Sequence, residues 1–170
     1  MNKFLLLSFV GLVSFSAATA QASFTTTVDD KNVTILNGIL TKNDVAENVA
    51  FKNWYAGNQT SYKADTAIIN AMVTAKDKVQ YVVFGGTWCE DTQFILPKFF
   101  KLQQESGTSE NNISFYGVDR TKKTLGNLTA AFKITNVPTI IVMKDGKEVG
   151  RVVEYGKTGK WDAELAALLK

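Results

Sequence analysis

The chain has 170 residues, 45% of them hydrophobic, with 19 basic and 16 acidic side chains and a formal charge of +3. That length and apolar share fit one domain with a sizeable core, and a near balance of charge with no basic stripe between aromatics leaves no footprint for nucleic acid. It has no histidine and a single cysteine, which excludes the common metal sites, every Ser/His or Cys/His catalytic arrangement and any disulfide closed within the chain.

Residues 1–20 open with Lys3, continue through an apolar run at 4–13 and end with the small residues Ala18 and Ala20. This is the three-part layout of a secretory signal peptide, with cleavage expected after Ala20 or, as the alternative, after Ala22. The apolar run is too short to span a bilayer well, and no cysteine follows it to carry a lipid. An exported protein without a stable membrane anchor is expected, periplasmic or extracellular. Losing residues 1–20 removes one base, Lys3, and no acid, so the remainder stays close to neutral.

Residues 21–63 are read as an N-terminal extension. Residues 23–28 and 32–36 are rich in Thr, Val and Ile and flank Asp29, Asp30 and Lys31, a pattern for a hairpin or one broken strand. Thr41 with Asp44 three residues later predicts a capped short helix to about Ala50. Phe51, Trp54 and Tyr55 follow as core aromatics, and Gly57 with Asn58 predicts a loop.

From residue 64 the pattern alternates. Residues 64–76 carry a helical stripe of Ala67, Ile68, Ala71, Met72 and Ala75, and residues 81–84 form an apolar strand closed by Gly85 and Gly86. Next come Thr87, Trp88, Cys89, Glu90, Asp91 and Thr92, then an amphipathic helix over residues 93–104. Residues 113–118 predict a strand, 124–132 a helix, 139–143 and 148–153 a hairpin, and 160–169 a closing helix. Strands alternating with helices give an α/β fold. The only cysteine therefore stands where a strand turns into a helix, and the unpaired first-turn amides of a helix favour an anion such as a thiolate. Glu90 and Asp91 act against that, because two carboxylates beside the sulfur disfavour its negative charge, while also stabilising the first helical turn.

A tryptophan directly before a cysteine at such a turn resembles the active-site turn of the thioredoxin superfamily, usually Trp-Cys-x-x-Cys, with Thr92 here in place of the second cysteine. Val137, Pro138 and Thr139 are similar to that family's cis-proline segment, Lys144 to Gly146 to its hairpin turn, and Pro97 falls where its active-site helix commonly kinks. The resemblance covers about residues 65–170 and implies a thioredoxin-like domain at 64–170, a central mixed sheet flanked by helices. It also implies a cis bond before Pro138, in a loop facing Cys89 whose Val137 backbone would bind an extended substrate, and it implies no bound cofactor.

Cys89 is then the expected nucleophile, Thr92 a hydrogen-bond donor to its thiolate, and Trp88 an apolar platform for a partner. A threonine hydroxyl cannot resolve a mixed disulfide, so an external thiol must do so. Protein or small-molecule thiols and disulfides are the expected partners. Two departures stand beside this. Val83 occupies the position, six residues before the cysteine, where thioredoxins commonly bury an acid, and Arg120 after the fourth strand is read as a rim charge that could offset the acids or bind an anion. The leading expectation is a monothiol thiol-disulfide oxidoreductase; the alternative is a redox-inactive module that keeps the peptide groove.

Overall fold

The computed structural model describes residues 23–170, so the expected signal peptide at 1–20 lies outside the described residues. Six strands form one mixed sheet in the order β1-β2-β4-β3-β5-β6. They are β1 (Phe24–Val28), β2 (Thr34–Leu40), β3 (Gln80–Gly85), β4 (Ile113–Gly117), β5 (Thr139–Lys144) and β6 (Lys147–Val153). Only β3 and β4 run parallel; the other pairs are antiparallel. The helices are α1 (Lys42–Ala46), α2 (Lys52–Ser61), α3 (Thr66–Ala75), α4 (Glu90–Ser106), α5 (Leu128–Ala131) and α6 (Trp161–Ala167).

The alternation along β3 splits the core in two. Tyr81 and Val83 point into the larger cluster, with Met72 of α3, Ile95 and Phe99 of α4, and Leu165 of α6. Phe84 points the other way into a smaller cluster with Val118, Val137 and Ile141, against which Trp88, Cys89 and Leu128 pack. The Cys89 turn is thus mounted on the smaller core, at the end of a strand whose flanks are both paired. At the far end of α4, Gly107 adopts φ 66°, and its amide closes the last turn on the Gln103 carbonyl.

Residues 24–61 are built into this body. The hairpin β1–β2 continues the sheet through β2 and β4, and Leu36, Leu40, Val45, Phe51 and Tyr55 are buried in the larger core. The Thr41–Asp44 capping box forms as expected, but α1 stops at Ala46 rather than near Ala50. The loop expected at Gly57 and Asn58 is instead the second half of α2. Its glycine lies on the open side, where an added Cβ would meet nothing within 4 Å, while Tyr55 is 3% exposed. Burial of that face outweighs the penalty of roughly 1 kcal/mol for a glycine within a helix. The helix expected over residues 124–132 also shortens, to α5. Upstream of it the Asp119 carboxylate accepts from the Thr121 and Lys123 amides and holds a turn. Among the described residues no helix is long and apolar enough to cross a membrane.

The Cys89 turn as candidate active site

Cys89 is the N-cap of α4, with φ −95° and ψ 123°. Its amide donates to the Gly86 carbonyl at 2.9 Å, and its carbonyl accepts from the Gln93 amide at 3.0 Å. The side chain does not cap the helix. The half-buried thiol instead donates to the Val137 carbonyl at 3.2 Å. The Val137–Pro138 peptide bond is cis, as the resemblance implied, and its loop faces the sulfur. That loop is braced from behind: the Thr139 hydroxyl donates to the Asn136 carbonyl at 2.7 Å, and the Pro138 carbonyl accepts from the Glu154 amide at 2.7 Å.

The other side chains of the turn are tied to main chain. The Thr87 hydroxyl donates to the Thr34 carbonyl at 3.0 Å and accepts from the Leu36 amide at 3.2 Å, which pins the turn to β2. The Trp88 indole donates to the Val118 carbonyl at 2.9 Å, and its ring lies so close over Gly86 that an added Cβ there would sit 2.6 Å from it. Gln93 donates to the Thr87 carbonyl at 2.9 Å, and its own carbonyl accepts from Asn58 of α2 at 3.1 Å.

Three expectations change here. Thr92 is 1% exposed and its hydroxyl accepts from the Gly86 amide at 3.2 Å; among the described residues it makes no hydrogen bond to Cys89. A buried amide in the turn needs an acceptor, and Thr92 is the side chain that reaches it. Arg120 is not a free rim charge: it donates from Nε and Nη2 to Asp29 Oδ2, at 2.6 and 2.5 Å. Trp88 is half-buried and its indole N–H is tied back to the Val118 carbonyl, so it is not a freely exposed platform. Val83 is fully buried among the apolar side chains of the larger core, so the position where the family commonly buries an acid carries none here.

Glu90 is exposed and Asp91 half-buried in the first turn of α4. Tyr155, which the sequence reading passed over, stands across from them. Its ring is 5.7 Å from that of Phe94, and burial, then the Asp91 carboxylate, pushes its hydroxyl above the usual phenol range. Thr87 and Gln93 were also not legible, because their partners lie more than 30 residues away or on main chain. Among the described residues no group of three or more Cys, Asp or Glu side chains is placed to hold a metal ion.

Comparison with known proteins bears on the family and the fold. A family profile described as Thioredoxin matches residues 60–167. Thioredoxin-1 of Saccharomyces cerevisiae is 30% identical over 95 residues, covering 56% of this chain and 81% of the yeast protein. A thioredoxin of Mycobacterium tuberculosis is 32% identical over 98 residues, 58% of this chain and 74% of its own. A solved Pseudomonas aeruginosa protein of unknown function superposes with a TM-score of 0.51 at 18% identity, over 74% of this chain and 87% of that one, a likeness of fold alone.

Proposed function

The chain belongs to the thioredoxin family, and on that premise we propose that it is an exported monothiol thiol-disulfide oxidoreductase with Cys89 as its nucleophile. The observation that carries this reading is the free, half-buried thiol at the start of α4, directed at the carbonyl before the cis proline. The Cys89 thiolate attacks one sulfur of a disulfide R–S–S–R′, forms the mixed disulfide with R and expels R′ as a thiolate. An external thiolate then attacks the mixed disulfide, takes R as a new disulfide and returns Cys89 as a thiolate. Thr92 has no sulfur with which to compete for that second step.

Val137 supports a role for the loop in binding. Its carbonyl accepts the thiol proton in the resting chain, and ionisation of Cys89 breaks that bond, leaving the carbonyl to accept an amide of an extended substrate. Binding of the peptide and readiness of the sulfur are thereby linked through one oxygen. Partners of this reading are protein or small-molecule disulfides and an external reducing thiol. The expected leader at residues 1–20 supports export, to a compartment where disulfides persist.

The test is mass analysis of the chain without residues 1–20 after exposure to bis(2-hydroxyethyl) disulfide. One adduct on Cys89 in the folded protein, removed by added glutathione, is expected. An adduct that forms only after unfolding would reject the nucleophile. It would favour the second reading, a binding module of the same fold, for which the buried Val83 and the threonine at position 92 speak.

A further inference from the structure

Trp88, the neighbour of the nucleophile, is held at three points. Two are main chain, the Val118 carbonyl and the close approach of Gly86. The third is a side chain. The guanidinium carbon of Arg120 lies 5.3 Å from the centroid of the Trp88 ring, within cation–π range. Asp29, in the turn between β1 and β2, fixes that guanidinium: its Oδ2 accepts from Nε and Nη2 of Arg120. Its Oδ1 accepts from the Lys31 and Val33 amides at 2.9 and 2.8 Å. One carboxylate therefore closes the hairpin turn and anchors the cation on the indole.

We infer that Asp29, acting through Arg120, is a positioning residue for Trp88, so that the N-terminal hairpin sets how the nucleophile's neighbour meets a peptide disulfide. An isolated exposed ion pair adds little to stability. The same pair placed over an indole restricts the ring to one orientation, and a preformed contact surface avoids the ordering cost of binding. A small disulfide reaches Cys89 without using that surface, whereas a peptide flanking its own disulfide has to pack on it. The inference rests on the proposed exchange chemistry for its kinetic part only; the restraint on Trp88 is measurable without any reaction.

The experiment uses the chain without residues 1–20 as wild type, D29N and R120M, each checked for folding by circular dichroism. The two variants break the restraint at different ends, so one that fails to fold leaves the other to decide. Hydrogen exchange of the tryptophan indole N–H groups is followed by NMR, with buried Trp161 as the internal control. Rates of mixed-disulfide formation are compared for an unstructured peptide disulfide and for bis(2-hydroxyethyl) disulfide. The expected result is Trp88 indole exchange about tenfold faster, Trp161 unchanged, and a peptide-to-small-disulfide rate ratio about threefold lower. Unchanged Trp88 exchange in the variants overturns the restraint, and faster exchange with an unchanged ratio overturns the positioning role. A wild-type Cys89 that reacts with neither disulfide sinks the exchange chemistry and the kinetic part with it, while the indole data still decide whether the hairpin holds Trp88.

Discussion

On one side of the Cys89 turn the polar side chains are committed to fixed partners: Thr87 to β2, Trp88 to Val118, Thr92 to Gly86 and Gln93 to Thr87. On the other side the thiol makes one bond of 3.2 Å to the Val137 carbonyl, and a thiol is a weak donor. The difference separates two tasks. The committed side is a mount, and the sulfur, held by one weak bond, can exchange partners. Preorganised supports around one labile group are what a reactive site requires.

The largest effect falls on the free side. Cys89→Ser is expected to abolish adduct formation and disulfide exchange while leaving the far-ultraviolet circular dichroism unchanged; any residual exchange would mean that another group carries the chemistry. Thr92→Cys moves a sulfur onto the committed side. We expect it to release product after one turnover with no added thiol, the new sulfur displacing the product thiolate and closing a disulfide with Cys89, so that the protein, once separated from the two released thiols, shows no free thiol on titration with a chromogenic disulfide. If both thiols stay titratable, the side chain at 92 is too firmly held beneath Gly85 and Gly86 to reach Cys89.

A smaller change is expected from Thr87→Ala. It strips the buried Leu36 amide of its acceptor, which costs about 1–3 kcal/mol in urea unfolding. Thr87→Ser keeps the hydroxyl and should retain most of that stability. A Thr87→Ala chain as stable as wild type would show that β2 does not depend on the turn.

The smallest effect is in acid. Backbone amides and Arg120 hold Asp29 below the usual carboxylate range, Arg151 does the same for Glu148, and Thr158 with its neighbours does so for Glu164. A carboxylate lowered in the folded state adds stability that is complete above its unfolded value of ~4 and is lost as pH falls through the lower folded value. The melting temperature should therefore be level from pH 6 to about 5 and fall below ~4. The chain has no histidine to impose a slope between. A marked fall above pH 5 would contradict the assignment.

Much of the mount was legible where the signal is local. The apolar strand closed by Gly85, the Thr41–Asp44 box and the Trp-Cys pair before a helix each lie within a few residues of sequence, whereas the proline loop facing Cys89, 48 residues away, was legible only through the family resemblance. What escaped was decided at a distance. Asp29 and Arg120 are 91 residues apart, and Thr87 meets strand residues more than 50 positions upstream. Nothing in their spacing joins them. The missed half of α2 had a usable signal, since Phe51, Trp54, Tyr55 and Asn58 follow the i, i+3, i+4, i+7 spacing of one helical face. Gly57 hid it, being read as a turn when it is a solvent-side helix residue. Thr92 was misread for a different reason: its neighbourhood was right, but the Gly86 amide, not the sulfur, had no other partner.

The most direct test is the rate at which an isolated Cys89 mixed disulfide releases its partner, measured against glutathione concentration. The account predicts a rate linear in added thiol, with an intercept of zero. Release at a finite rate with no added thiol, from the wild-type chain, would contradict the claim that Cys89 is a lone nucleophile on a fixed mount.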